Sequence, residues 1–239
     1  MRVESRSIVM SSNDSNIKQD IYPPIQLDKN AAHELSLLNL DMYNSMPNID
    51  EHNNLFIYKV DDEKFTIEFP TGAYEIESIN AFLKRRITED LFDITANHTT
   101  LKCIITIKRP NVSIIFNHKR SLRLLLGFNK EVLREVGEYE GNAMVDILPV
   151  NSILVNCDLI EGSYLQGIPT PVLYSFFPDA PPGYKINERS NTPIYLPVTL
   201  PSINSIHVWL TDQDRKPLNL RGERITLRLQ LKSTYFSKS

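Results

Sequence analysis

From residue 34 onward, apolar residues recur with the two-residue period of strands. Leu35, Leu37, Leu38 and Leu40 mark a mostly buried strand in HELSLLNLDMY, and Phe56 and Tyr58 lie in a second short run. Across 64–69, Phe65, Ile67 and Phe69 face one way and Lys64, Thr66 and Glu68 the other, until Pro70-Thr71-Gly72 breaks the run. The period then changes. Ile76, Ile79, Phe82, Leu83 and Ile87 recur at helical spacing, with Glu75 and Glu77 near the start and Lys84, Arg85 and Arg86 near the end. That charge order complements the helix dipole and predicts an amphipathic helix near 75–87, packed outside the sheets. Its basic end either touches an anionic partner or is a solvated helix end.

Strands resume at 101–108, where Cys103, Ile105 and Ile107 oppose Lys102, Thr106 and Lys108, and again at 111–117. SLRLLLGF, with Ser121 as N-cap and Gly127 as a left-handed cap, predicts one or two helical turns. Residues 129–146 are acidic and mixed, a long connection. Val150–Asp158 is a β-branched run, and 161–190 is Pro- and Gly-rich loop around a strand at Val172–Phe177. Near the C-terminus, Ile206, Val208 and Leu210 alternate with His207 and Trp209. After a turn at Asp212–Lys216, Ile225, Leu227, Leu229 and Leu231 alternate with a largely basic face. The expected fold is all-β: one antiparallel single jelly-roll sandwich over 34–232 with a peripheral amphipathic helix. Residues 1–33 are polar, with balanced charge and poor periodicity, and are expected to be a flexible or peripheral arm. Residues 233–239 are expected to be a tail.

The composition fits a globular chain: 239 residues, 41% apolar and 23% charged, enough to build a core without disulfide or metal. Fifteen Pro against eight Gly exclude collagen, flexible linkers and repeated Gly-rich phosphate loops. A net charge of −3 and a pI near 6.0 argue against a protein that coats nucleic acid, so no nucleic-acid partner is expected. Cys103 and Cys157 form no CxxC pair and are expected to be buried, reduced thiols. The charged N-terminus has no apolar core of a signal peptide, and no 18-residue apolar run exists. The chain is therefore expected not to be secreted and to have no membrane partner.

Tests for chemistry come back empty. GxSxG, GxxxxGK[ST], GxGxxG and HExxH are all absent, and the five histidines form no HxH pair. Asp212-Gln213-Asp214 is not followed by the ligands and glycine of an EF-hand. Asp146, Asp158 and Glu161 border strands and are the candidates for a distant acid–base pair, as in a sandwich hydrolase, but turn and cap roles are much commoner for such residues. No catalytic residue, cofactor or metal is expected.

The order of motifs carries a resemblance. LSLLNLDMYNSMPNID at 36–50 is followed by FPTGAYEIESINAFLKRRI at 69–87 and SLRLLLGF at 121–128. Then come NSILVNCDLIEGSYLQG at 151–167 and IYLPVTLPSINSIHVWLTDQDRKPLNLRGERITLRLQL at 194–231. This succession resembles the minor capsid, or penton, proteins of Polinton/Maverick elements and of adintovirus-like and virophage-like elements. The resemblance implies a single jelly roll that forms homopentamers at the vertices of an icosahedral shell. It also implies contact with a double-jelly-roll major capsid protein, a virion location after synthesis in the host cytoplasm or nucleus, and no catalytic motif.

Candidate interface residues follow. Trp209 and His207 point outward, where an exposed Trp is costly unless a partner covers it. Arg224, Arg228 and Lys232 share one face of the final strand, within a late basic cluster that also includes Arg215, Lys216, Arg221 and Lys238. A domesticated host copy without capsid assembly remains an alternative. So does a carbohydrate- or receptor-binding sandwich, which would use Tyr164, Tyr174, Phe176, Phe177 and Tyr184.

Overall fold

The computed structural model of the protein describes residues 1–236. The chain begins with β1 (Arg2–Ser12), β2 (Asn16–Gln26) and β3 (Ala31–Tyr43). It continues through β4 (Leu55–Val60), β5 (Glu63–Glu68), α1 (Ile76–Arg86), β6 (Phe92–Asn97), β7 (Lys102–Ile107), β8 (Val112–Ile115), β9 (Val132–Leu133) and β10 (Gly137–Glu140). The last part holds β11 (Ile153–Cys157), β12 (Tyr164–Leu165), β13 (Ile168–Pro169), β14 (Val172–Phe176), β15 (Lys185–Arg189), β16 (Leu196–Pro197), β17 (Ser202–Thr211) and β18 (Ile225–Tyr235). All paired strands run antiparallel. Two compact units result: residues 1–46 with 150–239, and residues 47–149.

The first unit is a jelly roll. Its sheets have the orders β1-β18-β3-β15 and β14-β11-β17-β2, with β16 also on β3. Number these eight main strands in chain order and the pairing rule is simple: first with eighth, second with seventh, third with sixth, fourth with fifth. That is a long antiparallel hairpin rolled over itself, the double Greek key of a jelly roll. Each strand turns its alternate apolar residues inward. Ile8, Met10, Leu35, Leu37, Leu40, Leu227 and Leu229 from one sheet meet Ile17, Val155, Ile206, Val208 and Leu210 from the other.

Three expectations are corrected here. Residues 1–33 are not an arm: β1 pairs with β18 over its full length, and β2 pairs with β17. Their weak sequence signal has a physical cause, since these are edge strands and only Ile8, Met10 and Ile17 within them are buried. The C-terminal tail is also shorter, because β18 continues to Tyr235; residues 237–239, including Lys238, lie outside the described residues. Finally, the single domain over 34–232 is replaced by two cores.

The second unit occupies the chain between β3 and β11. It has the sheets β5-β4-β8-β9 and β10-β7-β6, with α1 packed on β6. The helix spans 76–86, close to the expected 75–87, and buries Ile76, Ile79 and Leu83. Its interior is aromatic: Phe56 meets Phe92 at 5.3 Å between ring centroids, and Phe69 meets Phe82 at 4.4 Å. SLRLLLGF forms a single tight turn, with Leu126 N–H donating to Leu122 O and Gly127 at a φ of 75°. The buried Asn48 ties the unit's two ends together. Its Nδ2 donates to Tyr74 O at 2.8 Å and to Ile147 O at 2.9 Å, while its Oδ1 accepts Tyr74 N–H at 2.9 Å.

Cys103 lies in one core and Cys157 in the other, both unpaired and fully buried. Burial pushes each thiol up to about 12. Since the thiolate is the reactive form, neither should react in the native protein at pH 8. Both are expected to label only at the rate of unfolding. Fast labelling of either in native buffer would show that its core opens.

Candidate interaction surfaces

The named interface residues divide between the two sheets of the jelly roll. His207 and Trp209 lie on β17, opposite the core-facing Ile206, Val208 and Leu210, and so occupy the outer face of that sheet. Arg228 and Lys232 lie on the outer side of β18, with Arg224 just before the strand. Two alternating runs joined through a turn at 212–216 would, as a simple hairpin, put Trp209 beside the basic strand. In fact β17 and β18 are consecutive in the chain but belong to opposite sheets, because the chain crosses the sandwich between them. One constellation therefore becomes two faces.

On the β17 face, the rings of His207 and Trp209 lie 4.7 Å apart, tilted by 32°. His207 is fixed at both ends: its Nε2 donates to Asn16 Oδ1 at 2.7 Å, and its backbone N–H donates to Asp158 Oδ1 at 3.0 Å. Asn156, buried, donates to Trp209 O at 3.1 Å and to Thr211 Oγ1 at 3.3 Å. These bonds fix His207 and the backbone of β17, and the half-buried Trp209 ring rests against the His207 ring so held.

The opposite face is basic, though its membership differs from the expected one. Lys232 is neutralised by Glu34, 3.4 Å away, and its ammonium sits 4.7 Å above the Tyr195 ring. Arg224 and Arg228 are exposed, and no ion pair among the described residues engages them. Arg189, which the sequence did not single out, joins them. In cross-strand register, Val9, Arg228, Asn39 and Arg189 form one row across four strands. Two strand spacings separate the arginines, roughly 10 Å. The only sequence signal for Arg189 was its place in the short alternation KINER, inside a loop-rich stretch.

The remaining candidates disperse. Asp158 accepts from His207, and Glu161 Oε1 accepts Thr199 Oγ1–H at 2.8 Å; both fix strand ends. Asp146 belongs to the other unit. Among the described residues, Asp50, Glu51 and His52 bring three metal-type ligand atoms together, on an exposed turn where Asp50 Oδ1 already accepts His52 N–H. Of the aromatics in 161–190, Phe176 is core, and Tyr174 donates its hydroxyl to Glu188 at 2.8 Å. Phe177, Tyr184 and Tyr164 are exposed. Tyr164 and Tyr174 line one groove of about 360 Å³ beside β14, together with Leu154, Leu165 and Ile194.

No helix among the described residues is long and apolar enough to cross a membrane. No protein-family model matches the chain, and no curated protein matches it. Its fold is similar to that of a solved structure, the crystal structure of selenomethionine-labelled mavirus penton protein. The TM-score is 0.52 at 16% sequence identity, over 98% of this chain and 100% of that one.

Proposed function

We propose that the chain is a capsid vertex protein: a penton subunit of the Polinton/Maverick kind, residing in the virion. In this reading it forms a homopentamer and docks against a double-jelly-roll major capsid protein. One observation carries the proposal. The similarity to a penton protein extends over nearly the whole of both chains, so it includes the inserted second unit as well as the jelly roll. A jelly roll alone serves many functions, and the fold by itself argues none of them. The motif order in the sequence points to the same family. In such an assembly the two outer sheet faces have distinct tasks: the ordered His207–Trp209 pair suits an apolar contact, and the unpaired Arg189, Arg224 and Arg228 suit an acidic protein surface.

Light scattering on the purified chain, over a concentration series and with the major capsid protein added, tests the proposal. The expected species is a pentamer. Trp209→Ala is expected to weaken assembly by about 2 kcal/mol while leaving the unfolding transition in place. A strict monomer under all conditions, with Trp209→Ala unfolding the jelly roll instead, would remove the support for this reading.

A further inference from the structure

The two lateral sides of the jelly roll are built differently. One side carries the edge strands β1 and β2, and the other carries β14 and β15. On the first side β2 departs from its partner. Ile25 pairs with Ile203 and Asp20 with Ser205, so the single residue Asn204 on β17 faces four residues, 21–24, on β2. The surplus chain bulges from the edge. Ile21 and Ile25 pack against the core on either side of it, and Pro23 and Pro24 stiffen it. At its apex stands Tyr22, 97% exposed.

The second side is concave where the first is convex. The groove beside β14 holds about 360 Å³ and is walled by Leu154, Leu165, Val172 and Ile194, with Tyr164 at its mouth. Ile194 and Tyr164, 58% and 68% exposed, both line this groove and leave it open to solvent. Ser163 and Ser175 line the same groove. An apolar body with a polar tip fits such a site, and that is the chemistry of a tyrosine side chain.

Resting on the vertex reading above, we propose that Tyr22 of one copy inserts into the groove beside β14 of the next copy. A projection on one side and a hollow on the opposite side make a head-to-tail contact. Such a contact repeats from subunit to subunit until the ring closes. Tyrosine is among the residues that most often anchor an interface when seated in a partner's pocket.

The test uses the full chain and two exposed positions, Tyr22→Ala and Ile194→Arg, which remove the projection and block the hollow. Each variant is expected to unfold like the wild type, and to assemble at least about tenfold more weakly in sedimentation velocity. Mixed one to one, the two variants keep one intact contact per pair, the Ile194→Arg copy supplying Tyr22 and the Tyr22→Ala copy supplying the groove. The mixture is therefore expected to yield a two-subunit species and no ring. Wild-type assembly by both variants would overturn the contact while leaving the vertex reading standing. A wild-type chain that stays monomeric, alone and with a major capsid partner, would overturn both.

Discussion

A chain lacking residues 1–26 is expected not to fold. Those residues supply two of the eight jelly-roll strands, at the open end of both sheets. Their removal strips Ile8, Met10 and Ile17 from the core. At about 1.5–3 kcal/mol for each buried side chain, that loss is of the same order as the whole stability of a typical domain. It also bares the backbone edges of β17 and β18, which carry the longest apolar alternations in the protein. Long unpaired edges of this kind template aggregation. The truncated protein should therefore appear in the insoluble fraction, or as a soluble species without a cooperative thermal transition. A truncated protein that melts with the wild-type midpoint would show that β1 and β2 are a dispensable arm after all.

Asn48→Ala is expected to cost about 3 kcal/mol of stability. Three hydrogen bonds meet on this one amide, and they join its segment to Tyr74 and to Ile147 at the far end of the same unit. Alanine fills less space and takes the partner away from one N–H and two carbonyls, each costing about 1–3 kcal/mol where water cannot replace it. Asn48→Asp keeps the acceptor for Tyr74 N–H but turns a carboxylate oxygen toward two carbonyl oxygens in a buried site, so it should not recover the loss. Urea denaturation gives the magnitude. Hydrogen exchange gives the location, with Tyr74 losing protection before the β4–β8 amides. Equal stability of Asn48→Ala and wild type would mean that water substitutes for the side chain.

The most legible parts of the sequence were the strands whose alternate residues are all buried. In β18, Ile225, Leu227, Leu229 and Leu231 are at most 1% exposed, and their spacing declared the strand. The helix was equally clear, because Ile76, Ile79 and Leu83 all point into one core. Edge strands were not legible. In β2 only Ile17 is fully withdrawn from water, and Pro23 and Pro24 read as loop. Partner choice was invisible too: the pattern of β17 and β18 says which side is apolar but not that they enter different sheets. Paired as a simple hairpin they would put Trp209 and Arg228 on one surface, which the two sheets keep apart. The inserted unit was missed because its apolar content matches its surroundings and no linker announces it. Pro47 and Pro149 stand at its two ends, a faint mark that gains meaning only once the pairing of β3 and β11 is known.

The rolled hairpin also imposes an order in time. β1 pairs with β18, and Ser11 meets Thr226 across 215 residues of chain. At roughly 5–20 residues per second of synthesis, the first strand waits on the order of ten to forty seconds for its partner. The second unit has no such delay, since all its pairings fall within residues 47–149. During synthesis it is complete while β1, β2 and β3 are still unpartnered, and the jelly roll closes only once β18 has been made. Any helper that guards this protein in the cell must therefore guard β1 until β18 has been made.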